Sequence, residues 1–231
     1  MSEHTVTAYD DELNVMAGRI AEMGGLAEKA FAEAVSALVS GDTELARQVI
    51  DQDRRLDALH QEVEEGLIEM IVRRQPMGQD LREITAASRI ANDLERVGDL
   101  AKNVAKRAIA IDSDIQSKQL AIGVEHMTEL ALGQLKKVLD AYTGRDAEAA
   151  RRVQEADAEV DAIYTSLFRE LLTYMMEDPR VITSCVHLLF CAKNIERIGD
   201  HATNIAENVF FMVTGERLPE ERNKVDETGA V

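Results

Sequence analysis

Apolar residues recur along this chain with the spacing of long α-helices. From Tyr9 onward they follow one another at alternating steps of four and three, which places them on one helix face; they are Met16, Ile20, Met23, Ala27, Ala30, Ala34 and Ala37. Gly41 and Asp42 interrupt this pattern, and Asp42 is a suitable N-cap for a second helix. The second helix is predicted to end near Arg74, before Pro76, and a third to run from about Gln79 to Ile111.

The same plan is repeated in the second half of the chain. A shift of 104 residues lays positions 146–162 over 42–58 with 8 identities in 17, and a shift of 101 lays 192–207 over 91–106 with 8 in 16. Chance gives about one or two identities for proteins of ordinary composition. Pro179 also corresponds to Pro76, just ahead of the last helix of each unit. The chain is therefore a duplication of one three-helix unit.

Three helices of about 30 residues, each about 45 Å long, pack as an up-down-up bundle when short connections join them. The sequence thus predicts an all-α fold of six helices, arranged as two tandem antiparallel three-helix bundles related by a pseudo-twofold. The predicted boundaries are 1–112 for the first repeat, 113–214 for the second and 215–231 for a charged, mobile tail. Asp112, Ser113 and Asp114 are expected to form the linker.

Composition narrows the possible functions. The net charge is −17, and without a basic stretch the chain is not expected to bind nucleic acid or an anionic membrane surface. No apolar run approaches the roughly 20 residues of a membrane span, and no signal peptide is evident, so a cytoplasmic location is expected. Cys185 and Cys191 lack a CxxC spacing and are predicted to be buried thiols.

Acidic residues recur at matched positions in both units. The third helix of each unit contains the pattern ExxxDxxxN, and the second helix supplies a pair of aspartates four residues apart. Residues four apart lie on one helix face, so each unit could gather four carboxylates and an amide. The candidate ligands are Asp53, Asp57, Glu95, Asp99 and Asn103 in the first unit and Asp157, Asp161, Glu196, Asp200 and Asn204 in the second.

Two explanations of these clusters remain open. Like charges four apart destabilise a helix by a few tenths of a kcal/mol, so something compensates them. Arg96 and Arg197 could do so as salt bridges on a solvated acidic face. Metal ions could also do so, and all-oxygen donors suit magnesium, manganese or iron better than zinc, which thiolates would select. Under the second explanation, two carboxylate-bearing helices on one surface could bridge more than one ion.

Gly98 and Gly199 stand immediately before the cluster aspartates in the two third helices. A glycine inside a helix costs about 1 kcal/mol relative to alanine, so each is expected to serve a close helix–helix approach.

The histidines are less informative about the site than the acidic residues. His201 replaces Leu100 of the other unit, His60 corresponds to Tyr164, and His187 is expected to be a core residue rather than a ligand.

The motifs Glu95-Arg96-Val97-Gly98-Asp99 and Glu196-Arg197-Ile198-Gly199-Asp200, each followed by an asparagine four residues on, resemble those of the PhoU family of phosphate-signalling regulators. The resemblance covers both halves of the folded chain. It implies two three-helix bundles that carry multinuclear clusters of iron or other divalent metals, with the ten candidate ligands above. The DxxxD pairs of the second helices are an allowed variant of the family's E(D)xxxD.

The resemblance also implies a function. PhoU-like proteins act in bacteria beside the high-affinity phosphate ABC transporter, including its ATPase subunit, and beside a phosphate-responsive sensor histidine kinase. They restrain phosphate uptake and repress the phosphate-starvation response. The expected chain is a cytoplasmic homodimer without enzymatic activity, since no nucleophile–base pair and no Gly-rich phosphate loop occur. The alternatives are a carboxylate-bridged di-metal enzyme, disfavoured because no Glu-x-x-His is present, and a purely structural dimerising protein.

Overall fold

A computed structural model describes residues 3–111 and 122–218, apart from the side chains of residues 3–8, 122 and 157. The first repeat consists of α1 (Glu3–Ser40), α2 (Thr43–Arg74) and α3 (Gln79–Ala110). The second consists of α4 (Ile122–Gly144), α5 (Ala147–Glu155), α6 (Asp157–Glu177), a 3₁₀ turn (Pro179–Val181) and α7 (Ile182–Thr214). The predicted all-α fold of two tandem three-helix bundles is confirmed, while the linker at 112–114 and residues 219–231 of the tail lie outside the described residues.

The helices begin and end at residues whose local conformation can be predicted from the sequence. Asp42 caps α2, because its Oδ1 accepts hydrogen bonds from the backbone N–H groups of Glu44 and Leu45, both at 3.0 Å. Asp146 caps α5 in the same way through Ala149. At the far end of α2, Gln75 takes a left-handed conformation with φ 49° and Pro76 follows, so the helix cannot continue.

The predicted apolar stripe of α1 forms its core face. Met16, Ile20, Met23, Ala27, Ala34 and Ala37 are all buried, and they pack against the core faces of α2 and α3. Ala30 is half-buried, and the neighbouring Phe31 fills the core at that level. The same stripe returns in α4 with Val124, Met127 and Ala131.

The second repeat departs from the plan of the first in its second helix. The helix that corresponds to α2 is broken at Ala156, between α5 and α6. The amide side chain of Gln134 on α4 donates a 2.9 Å hydrogen bond to the Ala156 carbonyl, which also accepts one from the backbone N–H of Glu159 at 3.2 Å. Position 134 corresponds to Ala30 in the first repeat, whose methyl group cannot make this bond, and α2 is continuous there.

The two repeats meet mainly through α3 and α7, which run antiparallel. Arg82 at the start of α3 donates to the carbonyl of Met212 at the end of α7 (3.3 Å). Near the middle, Asp93 Oδ1 lies 2.9 Å from His201 Nδ1, and at the other end Arg107 Nη1 lies 3.2 Å from His187 Nδ1. This register places the pseudo-twofold axis beside Arg96 and Val97, so both acidic clusters lie near mid-length.

Candidate functional site

The first acidic cluster forms where α2 and α3 approach closely. Gly98 makes this approach possible, because a methyl group there would overlap Leu56 Cδ2 and lie 3.5 Å from Asp53 Oδ1. The glycine is therefore required by helix packing, as predicted, and the packing brings the companion aspartates of α2 to the ladder of α3. Burial raises the pKa of Glu95, and the charges of Asp99 and Asp57 raise it further, which shows that the cluster is assembled.

An ammonium group lies inside this cluster. Lys102 Nζ is 2.5 Å from Asp53 Oδ2 and 2.6 Å from Asp99 Oδ1, so it bridges a carboxylate of each helix. The Asp53 side chain is only 7% exposed, and burial raises its pKa while the Lys102 ammonium offsets part of that rise. Burial alone would lower the pKa of Lys102, but its hydrogen bonds to Asp53 and Asp99 outweigh burial and raise it.

The remaining carboxylates of the first cluster border an open cavity. Arg96 lies 3.4 Å from both Glu95 and Asp99, so part of their charge is balanced at the surface. The cavity has a volume of about 600 Å³ and a strongly acidic wall, formed by Asp57, His60, Gln61, Glu64, Glu65, Ile68, Glu95 and Asp99. Of the predicted ligands, Asn103 is exposed on α3 rather than part of this wall.

The second cluster is built by α6 and α7. Burial raises the pKa of Glu196, the Lys193 ammonium at 2.7 Å lowers it, and the charges of Asp200 and Asp161 raise it again. Asp200 and Asp161 are thus close enough for their charges to act on Glu196. Asn204 is half-buried on α7, and its carbonyl accepts a 2.8 Å hydrogen bond from Asn208. Asp157 begins α6, but its side chain lies outside the described residues.

The two clusters differ in the position of a lysine. Neither Lys102 nor Lys193 was predicted to belong to its cluster. Lys102 corresponds to Thr203 of the second repeat, and Lys193 corresponds to Asn92 of the first. Lys102 bridges two carboxylates, whereas Lys193 pairs with Glu196 and also lies 5.4 Å from the ring centroid of Tyr164. The signal was present in the spacing, since each lysine stands three residues from a cluster carboxylate, a distance that places both on one helix face.

Two observations bear on the prediction that the acidic clusters bind metal ions. Within residues 9–111 and 123–218, apart from the side chain of Asp157, no group of three or more His, Cys, Asp or Glu side chains is arranged to hold a metal ion. In the first cluster, the position between Asp53 and Asp99 is taken by Lys102, so a metal does not fit there as the side chains stand. In the second, the charges of Asp161 and Asp200 act on Glu196, and carboxylate oxygens are the donors that a hard cation prefers. Metal binding by the ten residues stays a prediction.

The cysteines and the remaining histidines lie outside both clusters. Cys185 and Cys191 are buried, as predicted, and burial raises the pKa of Cys191 to about 12, which keeps it a thiol. His187 is half-buried rather than a core residue, because it contacts Arg107 between the repeats. His60 Nε2 is buried beside the first cluster, where its ring borders the acidic cavity.

Known proteins match this chain along nearly its whole length. In the described parts of the structure, no helix combines the length and apolarity needed to cross a membrane. The model of the PhoU domain matches twice, at residues 20–108 and 124–209. A phosphate-specific transport system accessory protein PhoU homolog of Rhizobium meliloti is 58% identical over 99% of this chain and 96% of its own length. One of Caulobacter vibrioides is 49% identical over 98% of each.

Solved structures agree with these relatives. The crystal structure of PhoU from Pseudomonas aeruginosa superposes with a TM-score of 0.87 at 38% identity, covering 90% of this chain and all of that one. The phosphate transport system regulatory protein PhoU from Streptococcus pneumoniae superposes with a TM-score of 0.83 at 26% identity, over 91% and 99% of the two chains. The duplicated fold, the paired ExxxDxxxN helices and these similarities lead to one conclusion: the chain belongs to the PhoU family.

Proposed function

We propose that this chain is a negative regulator of phosphate uptake and of the phosphate-starvation response. In this role it acts on the cytoplasmic side of the membrane as an adaptor between the ATPase subunit of a phosphate ABC transporter and a sensor histidine kinase. The observation that carries the proposal is full-length similarity to proteins named as accessory to the phosphate-specific transport system. Those relatives are named accessory proteins rather than enzymes, in keeping with a role in binding.

The surface supports an adaptor role. Exposed apolar side chains recur at corresponding positions of the two repeats, where a solvated surface would favour polar residues. Ile68 and Leu172 are one such pair, with 61% and 41% of their surface exposed; Val72 and Met176 are another, with 72% and 86%. Both pairs lie toward the end of the second helix of their repeat, α2 in one and α6 in the other. Their retention in both copies favours contact with protein partners.

A first experiment tests the regulatory role in the cell. The gene is deleted in its own bacterium, and phosphate uptake and a starvation-promoter reporter are measured in phosphate-rich medium. Higher uptake and an active reporter are expected, and both should return to normal when the intact gene is supplied. Unchanged uptake together with a silent reporter in the deletion strain would contradict the proposal.

A second experiment tests the exposed apolar pairs. The double variant Leu172→Glu/Met176→Glu is expected to weaken binding to the purified ATPase subunit at least tenfold, about 1.4 kcal/mol. Stability should change by no more than about 0.5 kcal/mol, because both side chains are exposed. Val15→Glu is the matched control, since Val15 is 54% exposed on α1 and its counterpart in the second repeat is Gln119. Equal binding by the wild type and the double variant would exclude this surface.

We also propose that the second cluster binds a metal ion. Burial raises the pKa of Glu196, and the charges of Asp200 and Asp161 raise it further; a hard divalent cation there would relieve this repulsion. Elemental analysis of protein purified without chelator tests it, with Glu196→Ala/Asp200→Ala as the comparison. Metal present in the wild type and lost from the variant supports binding at this cluster. Equal metal content in both proteins would argue against it.

A further inference from the structure

We infer that Lys102 is the built-in cation of the first acidic cluster, and that its ammonium competes with metal ions for Asp53 and Asp99. The two clusters then differ in metal occupancy, although their motifs correspond. The inference rests on the metal role proposed above, but it concerns the first repeat alone. Its consequence is that exchanging Lys102 for a neutral residue opens a metal position that the wild-type protein keeps closed.

The geometry places a positive charge where a shared metal would lie. Lys102 Nζ contacts one carboxylate oxygen from each helix, 2.5 Å from Asp53 on α2 and 2.6 Å from Asp99 on α3. A metal ion that joined the two helices would be held by these same two carboxylates. Because the ammonium lies between them, the ion and Lys102 cannot both occupy the position.

Burial favours a cation at this position. Asp53 is 7% exposed, and a buried carboxylate without a partner is strongly unfavourable. The Lys102 side chain is itself only 21% exposed, and its ammonium contacts a carboxylate of each helix. The first cluster is therefore compensated by a side chain of the protein itself.

The second cluster lacks a lysine at this place in the repeat. Thr203 stands at the position that corresponds to Lys102, and it is fully buried and uncharged. The lysine of the second cluster, Lys193, precedes Glu196 by one helical turn and has half of its side chain exposed. The duplication therefore supplies its own comparison, and Lys102→Thr makes the first cluster resemble the second.

The test compares Mn²⁺ binding by the wild type, Lys102→Thr and Lys106→Thr. Lys106 lies one turn farther along α3 and is exposed, so its variant has the same net charge without touching the cluster. Isothermal titration calorimetry counts the bound Mn²⁺, and thermal unfolding is followed in chelator and in excess Mn²⁺. Lys102→Gln is measured in parallel, because its longer polar side chain keeps the test possible if the threonine variant does not fold.

The inference expects Lys102→Thr to bind about one more Mn²⁺ per chain than the wild type, and Asp99→Asn in that background to remove the extra ion. In chelator its unfolding temperature should fall below that of Lys106→Thr, and Mn²⁺ should restore it. Equal Mn²⁺ binding by the wild type and both Lys102 variants would overturn the inference, as would a loss of stability that Mn²⁺ does not restore. Failure of the second-cluster proposal appears separately, as unchanged metal content in Glu196→Ala/Asp200→Ala.

Discussion

Gly98 and Gly199 occupy corresponding positions, yet the structure predicts opposite effects when each is changed to alanine. At Gly98 the added methyl group would overlap Leu56 Cδ2, and Leu56 is 3% exposed, so it has little room to move aside. At Gly199 the nearest atoms are Gln134 Oε1 at 3.3 Å and Val160 Cγ1 at 3.7 Å, which need to give way only slightly. The two substitutions are thus the same chemical change in two packing environments.

The magnitudes follow from two opposing terms. Replacing a helical glycine by alanine gains about 1 kcal/mol in helix propensity. Forcing an extra carbon into a packed core costs about 1–3 kcal/mol. Gly98→Ala should therefore lower the free energy of unfolding by up to about 2 kcal/mol, while Gly199→Ala should raise it by up to about 1 kcal/mol. In a protein of this size each kcal/mol shifts the melting temperature by roughly 2–4 °C.

The assay is urea unfolding of both variants and the wild type, followed by circular dichroism at 222 nm. The dependence of the unfolding free energy on urea should be unchanged, so that the midpoints report stability directly. The expected order of midpoints is Gly199→Ala, wild type, Gly98→Ala. A midpoint for Gly98→Ala equal to or above that of Gly199→Ala would refute the argument that α2 and α3 need a glycine for their close approach.

Two further predictions concern the second repeat. Gln134→Ala removes the hydrogen bond to the Ala156 carbonyl, which keeps that from Glu159, and should lower stability by about 0.5–1.5 kcal/mol, with faster amide hydrogen exchange at the α5–α6 break; unchanged exchange there would contradict the assigned role. For Glu196, burial is the main cause of a raised pKa, so the folded protein binds this proton more tightly than the unfolded chain. The contribution of Glu196 to stability therefore rises as the pH falls from 7 toward the unfolded-state pKa, and Glu196→Gln should raise the urea midpoint of metal-free protein at pH 7 but not near pH 4. A lower midpoint at pH 7 would show that the Lys193 pair dominates.

Most of the fold could be predicted because its signals are local. The stripe of α1, the capping by Asp42 and the stop at Pro76 are properties of short segments, and the duplication made each of them visible twice. The break at Ala156 was not predictable. The residues around it continue the helical pattern without proline or glycine, and the contact seen at the break comes from another helix, where Gln134 donates to the Ala156 carbonyl.

The candidate site, like the fold, could be predicted only where it depends on residues of a single helix. The ladders on α3 and α7 follow from spacing within one helix, and the structure brings Asp57 and Asp161 to them. The role of Lys102 was missed because it depends on how α2 lies against α3. Spacing shows that Lys102 and Asp99 share a face, but the contact with Asp53 requires the approach that Gly98 permits.

The antiparallel pairing of α3 with α7 has a consequence for how the protein could evolve. A single-repeat ancestor that paired with its own copy through this helix would form a symmetric homodimer, in which every substitution appears at both acidic clusters. Fusion of the two copies into one chain removes that constraint. One half can then carry Lys102 while the other carries Thr203, and only one half needs the break at Ala156. Fusion thus allows the halves of one molecule to specialise while the packing between them stays the same.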